Sequence, residues 1–198
     1  AKIADDAVES EHLNNNVISG QTELASAPAS TDELLISDAG TLKRIDVSLI
    51  GGNMTPAFEA FVTSDQSISD ATNTKIAFGT EVYDTDSAFD HSSNYRFTVP
   101  SGKAGKYFFY TNILMENTSN YIASSIWQFK VNGSTVKQGK FNPTNSVISY
   151  IQEILTATFD LSAGDYVETF AYISNASGSS ILTSASRQTN FGGFRIIT

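Results

Sequence analysis

The sequence predicts an all-β chain: an antiparallel β-sandwich of about ten strands led by a small extended, hairpin-bearing segment. Apolar residues alternate with polar ones, as in Tyr95-Arg96-Phe97-Thr98-Val99, and no stretch holds a helical period. Turn residues interrupt these runs at short intervals. The sharpest signal is Asn132-Gly133, because both residue types tolerate the positive φ of a type I′ hairpin. Aromatic residues are also segregated: the 13 Phe, 8 Tyr and 1 Trp all lie beyond position 52, starting at Phe58. Two kinds of structure therefore meet at Gly51-Gly52-Asn53, a connector over 1–52 and a head over 53–198.

Composition narrows the function. A chain of 198 residues holds one full domain and a smaller appendage. Its net charge of −9 and scattered basic residues argue against nucleic acid, which rewards clustered Lys and Arg. The absence of cysteine removes disulfides, thiolate metal sites and a cysteine nucleophile. No apolar run approaches the roughly 20 residues that cross a bilayer, so no membrane insertion is expected. The first residue is Ala rather than Met, as expected of a processed form or of an excised piece of something longer.

Taken in order, Ile3, Ala7 and Leu13 support at most a short helix or coil, marginal alone in water. Glu33-Leu34-Leu35-Ile36-Ser37, the turn Asp38-Ala39-Gly40-Thr41 and the run from Leu42 to Val47 read as a hairpin. A lone hairpin has too little apolar area to stand by itself, so these side chains need sister chains or the head. In the head, strands are expected at 57–62, 75–78, 81–83, 95–99, 106–116, 124–131, 135–140, 147–159, 166–173 and 188–197. The run Tyr107-Phe108-Phe109-Tyr110 leaves no strand face for water. A sandwich covers only one face of each sheet, so the other is expected to pack on another copy of the chain. The interface candidates are Tyr107, Phe109, Phe170, Tyr172, Phe191 and Phe194, although a one-residue slip would exchange each for its neighbour.

Two resemblances sharpen this reading. The series Ile76-x-Phe78, Val82-Tyr83-Asp84, Phe89, Tyr95-x-Phe97-x-Val99-Pro100, Gly105-x-Tyr107-x-Phe109, Leu161-x-Ala163-Gly164-Asp165-x-Val167 and Phe191-Gly192-Gly193-Phe194-x-Ile196 resembles the trimeric jelly-roll head of complement component 1q and tumour necrosis factor-like proteins. It implies a jelly roll, a homotrimer and a binding rather than catalytic role. The stretch Ile18-Ser19-Gly20-Gln21-Thr22-Glu23-Leu24, then Asp32 to Asp38 and Leu42-Lys43-Arg44-Ile45, is similar to segments that precede the tips of bacteriophage tail fibres. Together they imply the distal, extracellular head of a virion tail fibre or similar appendage, binding a host cell-surface receptor or glycan. Two alternatives stay open: a structural trimerisation cap without receptor binding, and a glycan-degrading enzyme.

Loop lengths place the binding surface. Connections in a jelly roll alternate between its ends; 132–134 and 162–165 are tight, whereas 117–123, 141–146 and 174–187 are longer and share the opposite end. Loops on a rigid scaffold carry binding surfaces. Asn117, Asn120, Tyr121, Asn142, Asn145, Asn175 and Ser179 offer amides, hydroxyls and a ring suited to carbohydrate. Asn117, Asn132 and Asn175 also begin glycosylation sequons. Asp84-x-Asp86-x3-Asp90 lacks the glycine and closing glutamate of a helical calcium loop and reads as a turn, so no metal is expected. Asp90-His91-Ser92 are sequence neighbours, whereas a working triad converges from separated positions. The two histidines, His12 and His91, have no zinc-binding spacing, so neither catalysis nor a cofactor is expected.

Overall fold

A computed structural model describes residues 20, 22–26, 28–29, 31–50, 54–117, 122–143, 148–175 and 180–196. The chain divides into two compact units, Ala1–Gly52 and Asn53–Thr198.

In the first unit, β1 (Glu33–Asp38) pairs antiparallel with β2 (Thr41–Asp46), with Leu34 opposite Ile45. The reversal uses φ of 50° at Ala39 and 82° at Gly40, both in the left-handed region that a two-residue hairpin requires. Lys43 pairs with Asp38 at 2.5 Å and Arg44 with Glu33 at 3.1 Å. The apolar side chains are left outside: Leu35 and Leu49 are about 70% exposed.

Among the described residues the head is a sandwich of thirteen strands. In chain order they are β3 (Ala57–Phe61), β4 (Gln66–Ile68), β5 (Thr74–Lys75), β6 (Thr80–Asp84), β7 (Phe89–Asp90), β8 (Arg96–Thr98) and β9 (Gly105–Asn117). They continue with β10 (Ile122–Val131), β11 (Ser134–Phe141), β12 (Tyr150–Leu161), β13 (Tyr166–Asn175), β14 (Ser180–Leu182) and β15 (Asn190–Arg195). The first sheet runs β4-β14-β9-β15-β3-β6, with β12 on the other edge of β9. The second runs β11-β10-β13-β8-β7, with β5 also against β13. All pairings are antiparallel.

Burial follows the period of two. Along β9, Tyr107, Phe109, Thr111, Ile113 and Met115 are fully buried, and the residues that alternate with them face outward. The core between the sheets is strongly aromatic. Phe58 stacks on Phe89 at 4.8 Å and Phe97 at 5.1 Å between centroids, and meets Phe191 edge-on at 4.9 Å. Each such ring, fully buried, stabilises by about 1.5–3 kcal/mol, and a well-oriented pair adds about 0.5–1.5 kcal/mol.

Three strands depart from expectation. The short β4 and β7 fall where turn residues dominate the sequence, and β14 lies inside the expected loop 174–187. There Ser180 and Leu182 are fully buried, which holds that segment against β9 instead of leaving it free. The chain enters and leaves the head at the tight-turn end: the Arg195 amide bonds the Pro56 carbonyl at 3.0 Å, and the Asn132 amide bonds the Tyr166 carbonyl at 3.0 Å. The roots of the long connections meet at the other end, where the Asn117 amide bonds the Ser149 carbonyl at 2.8 Å and the Ile122 amide bonds that of Ile148 at 3.2 Å.

Candidate functional site

Three surfaces of the head carry the residues singled out by the sequence. At the long-loop end, Asn117, Asn142 and Asn175 are described; Asn120, Tyr121, Asn145 and Ser179 lie outside the described residues. Asn117 is only 2% exposed. Its amide donates to Asn175 Oδ1 at 2.9 Å and Ser180 Oγ at 3.3 Å, and Ser180 donates to the same Asn175 oxygen at 2.8 Å. These groups tie the ends of β9, β13 and β14 together, so Asn117 is corrected from ligand contact to structural link. Asn142 is exposed.

The second surface is the outward face of the first sheet. Tyr107, Phe109 and Phe191, expected at a subunit interface, are fully buried inside the sandwich, and that assignment is corrected. Their neighbours Phe108, Tyr110 and Phe194 take the outward places. Phe194 lies opposite Phe108, with ring centroids 5.4 Å apart. Tyr110 lies over Gly192 and donates to Glu59 Oε2 at 2.7 Å. Burial, then this carboxylate, push the Tyr110 phenol up. Glu59 pairs in turn with Tyr83 on β6. Towards the edge, Ile154 is 65% exposed, Tyr150 is exposed and bonds Glu116 at 2.8 Å, and Val136 of β11 is 48% exposed. A groove of about 530 Å³ lies here, lined by Phe108, Val136, Lys137, Thr158 and Phe159 among others.

Phe170 and Tyr172 sit on neither of these surfaces. They point outward from the second sheet, on the opposite side of the sandwich from Phe194, so the six expected interface residues do not form one surface.

The acidic run is built into turns. Asp84 accepts the backbone N–H of Phe89 at 2.8 Å, and Asp86 lies 3.6 Å from the Lys103 ammonium. Asp90 accepts the N–H groups of Ser92, Ser93 and Asn94. His91 Nδ1 lies 2.7 Å from Glu81 Oε1 on the exposed surface. Among the described residues no group of three or more His, Asp or Glu could hold a metal.

No family model matches the chain, and no curated protein matches it. The globular domain of zebrafish complement 1qA protein matches with a TM-score of 0.51 at 18% identity, over 72% of this chain and 98% of its own. Murine APRIL matches with a TM-score of 0.52 at 13% identity, over 71% and 98%. Eiger TNF from S. frugiperda matches with a TM-score of 0.50 at 14% identity, over 71% and 90%. The head has the complement 1q and tumour necrosis factor-like jelly-roll fold. At these identities the likeness is one of fold.

Proposed function

We propose that this chain is the connector and head of a homotrimeric, non-catalytic binding module, placed outside the cell at the distal end of a phage tail fibre or similar appendage, that recognises a host cell-surface ligand. One observation carries the trimer: Phe108, Tyr110, Phe194 and Leu114 form an outward apolar face beside the bare edge strand β12, where Ile154 is 65% exposed. A sheet face and a sheet edge are different surfaces, so a contact of one on the other can repeat head to tail, and such a contact forms a ring where its rotation closes. A ring of three is what the resemblance to the complement 1q and tumour necrosis factor-like heads implies. The exposed Leu34, Leu35 and Leu49 of the first unit support the same reading, because a two-stranded hairpin gains its stability from neighbouring chains. Three weak sites on one rigid head then gain avidity on a cell surface.

Light scattering on the full chain tests the assembly. The expected mass is three times that of the chain; a well-folded monomer at micromolar concentration overturns the trimer and most of the case for a fibre. Adsorption to host cells tests the role. Replacing Asn120 and Tyr121 together by Ala is expected to abolish adsorption while leaving the trimer intact. The internal Asn117–Asn175–Ser180 network favours a second reading, a fibre cap whose tip amides serve the fold. Unchanged adsorption of the Asn120/Tyr121 variant selects that cap.

A further inference from the structure

The outward face of the second sheet gathers cations in a chain that is acidic overall. Register places Arg96 and Lys130 on either side of Glu168, Lys75 beside Phe170, and Lys140 beside Ile126, which faces Tyr172. The acidic groups at these positions are Glu168 and Asp90, the latter opposite Arg96. Both are occupied within the chain. Glu168 is 5% exposed and accepts the Lys75 ammonium, whereas Asp90 accepts three backbone N–H groups. Four cations face two carboxylates here, in a protein with 12 basic and 21 acidic side chains.

Three of the four cations rest on rings. The Lys130 ammonium lies 3.9 Å from the centroid of Phe170, with Lys75 5.9 Å from the same ring, and the Arg96 guanidinium lies 4.1 Å from that of Tyr166. A ring fixes the position of a cation without neutralising it, so the charge stays available to an anion approaching from solvent. Exposed cation–ring contacts stabilise the fold by only about 0.5–1 kcal/mol each, little reason in stability alone to gather four cations on one face.

We infer that this face binds an anionic polysaccharide, its carboxylate or sulfate groups meeting Lys130 and Lys140 and a sugar ring lying on Tyr172. Charge complementarity selects an acidic partner, and the protein's own net charge of −9 opposes the denser charge of nucleic acid. Aromatic rings between the cations suit the apolar face of a sugar. The inference concerns a different surface from the tip loops and does not depend on the trimer.

The test is the affinity of the full chain, with its mass checked on the same sample, for dextran sulfate, for neutral dextran and for poly-L-glutamate. Dextran sulfate is expected to bind best, with affinity falling as salt rises. Replacing both lysines (Lys130→Gln with Lys140→Gln) is expected to weaken binding by about tenfold, as when two charge-assisted contacts are lost. Lys106→Gln, on the first sheet, leaves it unchanged. Lys140 is exposed, so Lys140→Gln alone, expected to weaken binding roughly threefold, reads the site even where loss of the Lys130–Phe170 contact loosens the sheet. Four results overturn the inference: no binding of dextran sulfate, equal binding of dextran, tighter binding of poly-L-glutamate, which would point to an acidic protein, or a double variant that binds as well as the parent.

Discussion

Asp90 ends β7, and its carboxylate accepts the N–H groups of Ser93 at 2.9 Å, Ser92 at 3.0 Å and Asn94 at 3.1 Å, with the Asn94 side-chain amide at 2.7 Å. These donors favour the ionised form, the Ser93 N–H most, and hold the carboxyl well below the ordinary carboxylate range. A folded pKa depressed in this way contributes stability that is present above the unfolded value of about 3.9 and is lost as pH falls below it. Asp90→Ala is therefore expected to destabilise the head by about 1–2 kcal/mol at neutral pH, the range of lost capping bonds. Denaturant melts at pH 7 and pH 3 check this, since the gap between parent and variant should narrow at the lower pH. Tyr107 works at the other end of the scale. Burial, with some help from Asp86 and against Arg195, pushes its phenol up to about 12, and its hydroxyl donates to the Lys103 carbonyl at 2.5 Å. Its folded pKa is raised, so its contribution is complete below about pH 10 and declines as pH climbs from 10 towards 12. Melting temperature against pH should show that decline, and a flat profile to pH 12 would contradict it.

At the scale of the strand, Gly192 and Gly193 of β15 show what a motif encodes. A Cβ at Gly193 would lie 2.5 Å from the Phe109 ring and 2.8 Å from the Phe108 carbonyl oxygen, and one at Gly192 would enter the ring of Tyr110. The two glycines let aromatic side chains of β9 lie flat on the neighbouring strand on both faces of the sheet. Since the carbonyl belongs to the sheet ladder and cannot yield as a side-chain end can, Gly193→Ala is expected to cost about 1–3 kcal/mol by overpacking, read as a lowered melting temperature. The sequence displayed Phe191-Gly192-Gly193-Phe194 as a recognisable motif and displayed the period of β9, but not which aromatics face inward. That choice depends on which strand lies beside β9 and in what register, and a slip of one residue exchanges Tyr107 and Phe109 for Phe108 and Tyr110. For the same reason β14 was hidden: Ser180 and Leu182 become strand only because the distant β9 offers them an edge. Turn chemistry, being local, was readable at Asn132-Gly133, where φ is 51° and 79°.

For the whole molecule, the two ends of the jelly roll followed from connection lengths, whereas the residues that line a binding surface did not, because Asn117 looks the same in sequence whether it faces solvent or the core. The assembly can be separated from the fold at Ile154. This side chain is 65% exposed on the edge strand β12, opposite Asn112, and contributes little to the core of one chain. Ile154→Lys is therefore expected to leave the folded head unchanged within about 0.5 kcal/mol, as surface substitutions do. In the proposed ring the same position is buried three times over, and each copy would carry an unpaired ammonium into an apolar contact, at several kcal/mol per assembly. Light scattering should then report a single chain with the circular dichroism of the parent. A trimer that persists with unchanged thermal stability would show that β12 is not part of the contact. A variant that fails to fold would show that the head acquires its fold only on assembly.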